Sequence, residues 1–182
     1  MKKKLGEIAE VFSGFRVYRL KENTDITEKK VIRRINNEGE LKTEIKKVSK
    51  DLNEKYFTQK GDILIPLANP ENVIKVNEEG LIVPMYYAVV RTKQKYNNDY
   101  VYYALKKIIP REMGKLTEGT VLKSIRINYL SQIEIPIDES NKHEDIIETL
   151  DLINEKKRLE EKLIQLNEEL EKALINQMFI GD

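Results

Sequence analysis

The chain has 182 residues, 40% of them apolar and 35% charged, enough for one globular domain plus an appendage with a core to bury. It contains no cysteine, which excludes structural disulfides and thiolate metal sites and fits a reducing cytoplasm. Its net charge of +1 is a sum of opposites: residues 1–140 carry 26 Lys and Arg against 20 Asp and Glu, or +6, and residues 141–182 carry 6 against 11, or −5.

A basic body with an acidic tail suggests an anionic partner for the first and a protein partner for the second. Met1-Lys2-Lys3-Lys4 is basic, but no apolar run follows, so no signal peptide is expected. No stretch approaches a membrane span, and we expect a cytoplasmic protein with no membrane partner.

Leu5 to Phe12 reads as a short amphipathic helix or a helix-to-strand entry, with Leu5, Ile8, Ala9 and Phe12 on one face and Ser13-Gly14 as the break. Phe15 to Leu20 alternates in type, as a strand or as a loop presenting arginine and tyrosine to a ligand. Lys30 to Asn36 predicts a strand, with a turn at 36–39 and a polar return strand or surface segment over 41–50. Gly61-Asp62-Ile63-Leu64-Ile65-Pro66 predicts a turn feeding a fully buried strand. Val73 to Val76 leads into a turn at Asn77–Gly80, and Leu81–Pro84 and Tyr87–Arg91 predict further strands. Tyr100 to Ile109 has helical periodicity, with Asp99 as N-cap and Pro110 as the stop. Leu122–Ile127 and Ile133–Ile137 predict the last strands of the body. The expected fold class is mixed α+β: a domain over 1–140 with several short strands and few helices, then a long helix over 141–182, capped at Asn141.

From His143 to Ile180 there is neither Pro nor Gly, and Leu152, Leu159, Leu163, Leu166, Leu170 and Leu174 recur at helical spacing. The steps of four and three between Leu159 and Leu170 are those of a heptad seam. A helix of this length extends roughly 55 Å, farther than a small domain can cover. We expect these leucines to form a dimerisation seam.

Few residues suggest catalysis. His143 is the only histidine, and alone it makes neither a triad nor a zinc site. Asn69-Pro70-Glu71-Asn72 is similar to the Asn-Pro-Pro-aromatic loop of adenine methyltransferases but lacks the second proline and the aromatic, and it reads as an ordinary turn. Glu-x-Lys triplets such as Glu44-Ile45-Lys46 are expected by chance in so charged a chain, and no phosphate-cradling Gly-rich loop is present. The body instead offers cationic and tyrosine side chains in its loops and strand faces: Arg16, Tyr18, Arg19, Arg33, Arg34, Tyr86, Tyr87, Lys115, Lys123 and Arg126. Arginine can fork onto guanine and lysine can meet phosphate, so these are the candidate DNA contacts.

Four phrases in order resemble the specificity subunit of type I restriction-modification systems, in a half-length form. Lys4-Leu5-Gly6-Glu7-Ile8 through Ser13-Gly14 is similar to the family's opening phrase, and Gly61-Asp62-Ile63-Leu64-Ile65 to its Gly-Asp-Ile-Leu strand. Gly119-Thr120 through Leu130, then Ile133-Glu134-Ile135-Pro136, resembles its closing strand, and the helix ending Met178-Phe179-Ile180-Gly181-Asp182 resembles its spacer helix. The chain departs from the family at Asp138–Glu144, where a Pro-rich phrase ending in Glu-Gln is usual, and in having one recognition domain and one spacer helix rather than two of each. The resemblance implies a non-catalytic subunit that reads a half-site of double-stranded DNA and seats methyltransferase (M) subunits, with a restriction (R) subunit as a further partner. It implies no cofactor on this chain: S-adenosylmethionine, ATP and Mg belong to the partners. Two copies with antiparallel helices would restore the two-domain arrangement. The competing expectation is a coiled-coil adaptor with no nucleic-acid role.

Overall fold

A computed structural model describes residues 1–16, 25–35, 41–116, 124–137 and 143–180. The chain divides into two compact units, Met1–Glu139 and Ser140–Asp182. The body is mixed α+β. Its elements are β1 (Lys2–Lys4), α1 (Leu5–Ile8), β2 (Ala9–Ser13), β3 (Ile26–Ile35), β4 (Leu41–Ser49), β5 (Ile63–Pro66), β6 (Ile74–Lys75), β7 (Tyr87–Thr92), α2 (Asn98–Leu116), α3 (Ile127–Gln132) and β8 (Glu134–Pro136). The second unit is the helix α4 (Glu144–Ile180).

The central sheet is antiparallel, in the order β2-β7-β5-β6. Alternation along its strands splits the core. Ile63 and Ile65 of β5, with Ala88 and Val90 of β7, face α2 and α3 and pack on Leu5, Val101, Leu105, Ile109, Met113 and Leu130. Leu64, Tyr87 and Val89 point to the other face and pack on Ile32, Val76, Leu81 and Val83. A sheet covered on both sides requires apolar residues at consecutive positions, which is why β5 and β7 read as unbroken apolar runs.

Several boundaries differ from the sequence reading. The opening helix ends at Ile8, and Phe12 lies in β2, packed on the second cluster instead of sharing a helical face with Leu5 and Ile8. The helix expected to stop at Pro110 runs on to Leu116, with Pro110 inside it. Proline removes one helical hydrogen bond, but Val101, Leu105, Ile109 and Met113 form an i+4 stripe that stays buried across the proline, and this packing holds the last turn. The cap is Asn97, whose Oδ1 accepts the Tyr100 N–H at 3.0 Å, while Asp99 pairs with Lys75 at 2.8 Å. Ile127 opens the helix α3 and does not extend a strand. Leu81–Pro84 is extended and buried, but among the described residues it pairs through isolated bridges, Ile82 to Val31 and Phe57 and Pro84 to Phe15, and not in a continuous ladder. The candidate cap Asn141 lies outside the described residues.

Lys2–Lys4, which carries no strand signal of its own, pairs with β8. Leu5 N–H donates to the Ile133 carbonyl at 2.8 Å and Ile137 N–H to that of Met1 at 2.7 Å. These contacts bury Ile133, Ile135 and Ile137.

Gly14 sits where the chain presses against the 83–87 segment. Its N–H donates to the Tyr87 carbonyl at 3.0 Å, and Phe15 exchanges bonds with Val83 and Met85. A Cβ on Gly14 would lie 2.3 Å from the carbonyl oxygens of Val83 and Pro84. Gly14→Ala is expected to lift this segment off its bed at a cost of about 1–3 kcal/mol, seen as a lowered melting temperature.

Helix α4 is solvated along most of its length. Leu152, Leu159, Leu163, Leu166, Leu170 and Leu174 are each more than half exposed. Beyond the heptad steps, Leu152-Ile153, Leu163-Ile164 and Leu174-Ile175 recur every eleven residues, each followed by Asn or Gln. Eleven residues correspond to about 3.67 per turn, close to an undistorted helix, so this stripe runs nearly straight along the rod.

Candidate nucleic-acid interface

The ribbon of β3 and β4 carries seven cationic side chains, Lys29, Lys30, Arg33, Arg34, Lys42, Lys46 and Lys47, against two acidic ones, Glu28 and Glu44. One edge of β3 is anchored to the body: Ile32 N–H donates to the Ile82 carbonyl and Ile82 N–H to that of Lys30, both at 3.0 Å. Val31 and Val48 are buried in one core cluster and Ile32, on the other face of the strand, in another. In β4, Lys42, Thr43, Ile45 and Lys47 are exposed, Ile45 at 69%.

The ladder shifts register between Ile32 and Arg34, leaving Arg33 as the extra residue of a β-bulge. A bulge re-aims side chains that strict alternation would send to opposite faces; here Arg33 and Arg34 are both exposed. The Tyr86 hydroxyl lies 2.9 Å from the Arg33 carbonyl and 3.2 Å from that of Ile32, spanning the bulge. Next to Tyr86, Met85 Sδ accepts from Arg16 Nε at 3.4 Å. Of the ten residues singled out from sequence, Tyr86 thus touches Arg33, which Arg34 follows in the chain, and Arg16 bonds Met85, the residue before Tyr86.

The others fall elsewhere. Tyr87 is buried in β7, its ring 4.9 Å from that of Tyr86, and it serves the core. Lys115 is held by Glu112 at 2.6 Å, beside a cavity of about 460 Å³ between α2, α3 and β8. Glu112 also accepts from the Tyr129 hydroxyl at 2.9 Å. Hydrogen bonds from Lys115 and then Tyr129 hold the Glu112 carboxyl below its usual range, while burial, followed by the bond to Glu112, pushes Tyr129 up. Arg126 is exposed at the N-cap of α3. Tyr18, Arg19 and Lys123 lie outside the described residues.

Sequence reasoning missed Lys42, which stands opposite Arg34. Only strand register reveals that pairing. Among the described residues there is no cluster of His, Asp and Glu able to hold a metal ion, and no helix long and apolar enough to cross a membrane.

This architecture is the one found in specificity subunits of type I restriction-modification systems. The S subunit from M. genitalium superimposes with a TM-score of 0.68 at 22% identity, over all of this chain and 46% of that one. The HsdS subunit from Thermoanaerobacter tengcongensis gives 0.60 at 18%, over 100% and 45%. A chain from a study of complex assembly and conformational transition of the type I R-M system gives 0.63 at 16%, over 98% and 47%. The chain therefore spans slightly under half the length of each. The type I restriction modification DNA specificity domain matches residues 1–172, and the chain belongs to that family. No curated protein matches it.

Proposed function

We propose that this chain is the non-catalytic DNA-recognition component of a type I restriction-modification system, working in the cytoplasm as an antiparallel homodimer. The body reads a half-site of duplex DNA, and α4 sets the spacing between two bodies and seats methyltransferase subunits. S-adenosylmethionine, ATP and Mg act in the partners, the restriction subunit included.

The observation that carries this reading is the cationic β3–β4 ribbon, whose exposed Arg33 and Arg34 lie at a bulge touched by the Tyr86 hydroxyl, with Arg16 bonded to the neighbouring Met85. Guanidinium groups held at fixed separation suit phosphates and base edges. The helix supports the second half of the proposal. Laid antiparallel against a second copy, about a midpoint between Leu163 and Ile164, Glu155 stands level with Lys172, Lys156 with Glu171 and Arg158 with Glu169. A parallel, in-register pair would put like charges level at all of these positions. A two-fold dimer of this kind mirrors an inverted-repeat target.

The test is duplex binding by the full chain across a salt series. Each phosphate neutralised contributes about −0.9 to the slope of log K against log salt, so three arginine contacts per body should give a slope of about −3 or steeper. Selection from random duplexes should enrich an inverted repeat. Binding that is absent or indifferent to salt would instead favour the adaptor.

A further inference from the structure

We infer that the bulged end of the β3–β4 ribbon, formed by Arg33, Arg34 and Lys42, is a phosphate clamp, and that Tyr86 is the residue that holds its shape. This rests on the body being a duplex reader, and it assigns that role to one element.

The first observation is a conflict within the ladder. Arg34 and Lys42 are direct cross-strand partners. Like charges in that position destabilise a ribbon. The same strands place Lys29 opposite Lys46, but there Glu44 compensates, 2.8 Å from Lys46. No ion pair joins Arg33, Arg34 or Lys42 to any other described residue. A sequence optimised for the ribbon alone would place a carboxylate at one of these sites. Three exposed cations gathered at one end of the ribbon suit a polyanion that supplies opposite charge on binding.

The second observation is geometric. The ladder breaks register at Arg33, between Ile32 and Arg34, and Arg33 and Arg34 are both exposed. The Tyr86 hydroxyl reaches the carbonyls on either side of the register shift. It has one proton to donate, so it serves one carbonyl at a time and stays close to both. Tyr86 itself rides on the rigid 83–87 segment, through Leu67 N–H to the Tyr86 carbonyl at 2.9 Å and Tyr87 N–H to that of Pro84 at 3.0 Å. It is a positioning residue, and its hydroxyl is occupied within the protein.

The experiment uses the full chain, a fluorescein-labelled duplex of mixed sequence and a salt series, with thermal unfolding of each variant alongside. Arg34→Glu places a carboxylate opposite Lys42. It is expected to raise the melting temperature by about 1–3 °C while weakening duplex binding at least about tenfold and reducing the salt slope by about 1 or more. Arg33→Ala, which leaves the cross-strand pair alone, should reduce the slope by about 1 with unchanged stability. Tyr86→Phe keeps the ring and the cations; a loss of about 2–10-fold in affinity with the salt slope unchanged is expected. Arg111→Ala, on α2, should bind as the native chain does.

If the native chain binds with a steep slope and the Arg33 and Arg34 variants bind equally well, the clamp is wrong and duplex reading stands. If Arg34→Glu loses stability together with binding, Arg34 is structural and the clamp is again wrong. If the native chain shows no salt-dependent binding, the reading on which the clamp rests has failed as well.

Discussion

Leu163→Glu is expected to leave this protein at 21.3 kDa in solution, at concentrations where the proposed native dimer should sediment at twice that mass. Leu163 adjoins the midpoint of the self-complementary stretch of α4, and its side chain is exposed in the single chain. In an antiparallel pair every seam position is used twice. Burying one leucine is worth about 1.5–3 kcal/mol, so the substitution removes about 3–6 kcal/mol and brings two carboxylates toward each other near the dyad. At about 1.4 kcal/mol per tenfold, the dimer weakens by about two to four orders of magnitude. Leu163→Met keeps volume and apolarity and should keep the dimer. Glu161→Gln, on the opposite side of the helix from the leucine stripe, should do the same. A native chain that sediments as a monomer would end the pairing proposal without touching the body's role, because the ribbon lies in the other unit. Selected targets report independently: the native dimer should enrich inverted repeats and Leu163→Glu single half-sites.

The parts of this fold that are legible in the sequence are those where local pattern and burial agree. Ile63-Leu64-Ile65 and Tyr87-Ala88-Val89-Val90 are apolar without interruption because both faces of the sheet are covered, and that needs no knowledge of neighbours. The illegible parts depend on neighbours. Lys2–Lys4 is a strand only because β8 is there to pair with it. Pro110 fails to end α2 because Met113, one turn beyond, has a buried seat. Within the body, the described parts of the phrases on which the family resemblance rests are scaffold: Leu5 and Ile8 are core, Gly14 is a close backbone approach, and Ile133 and Ile135 are core. They identify the family while revealing nothing of the proposed reading surface. The residues proposed for that surface are only partly legible in the sequence. Arg16, Arg33, Arg34 and Tyr86 stand out by residue type, but Tyr86 and Tyr87 are indistinguishable until Tyr87 is seen to open β7, which is covered on both faces, while Tyr86 lies before the strand and is exposed. Lys42 enters only through its register with Arg34.

Asp62→Ala should cost the body about 3–5 kcal/mol, because removing one member of a buried ion pair leaves the other charge uncompensated. Asp62 follows Gly61, whose φ of 89° favours glycine, in the turn that opens β5. Its carboxylate, 1% exposed, accepts from Arg91 Nε at 2.9 Å, from an Arg91 terminal nitrogen at 2.8 Å and from Gln59 N–H at 2.9 Å. The same Arg91 nitrogen reaches the Phe57 carbonyl at 3.0 Å. The hydrogen bond to Asp62 raises the Arg91 pKa against the opposing effect of burial, so the guanidinium stays charged. This latch ties the 56–62 segment to β7, and that segment in turn carries Leu81–Val83: Thr58 N–H donates to the Leu81 carbonyl at 2.8 Å and Val83 N–H to that of Tyr56 at 3.0 Å. Ile82 is where β3 is anchored. Loss of the latch should therefore do two things. The melting temperature should fall by about 10 °C, at a few degrees per kcal/mol for a domain of this size. Duplex affinity should fall at temperatures where the sheet is still folded, because the ribbon loses its footing first. Asp62→Leu combined with Arg91→Met removes both charges and should recover most of the stability. Recovery of duplex binding together with stability would mean that the latch acts through the anchor at Ile82; stability without binding would place Arg91 at the duplex itself.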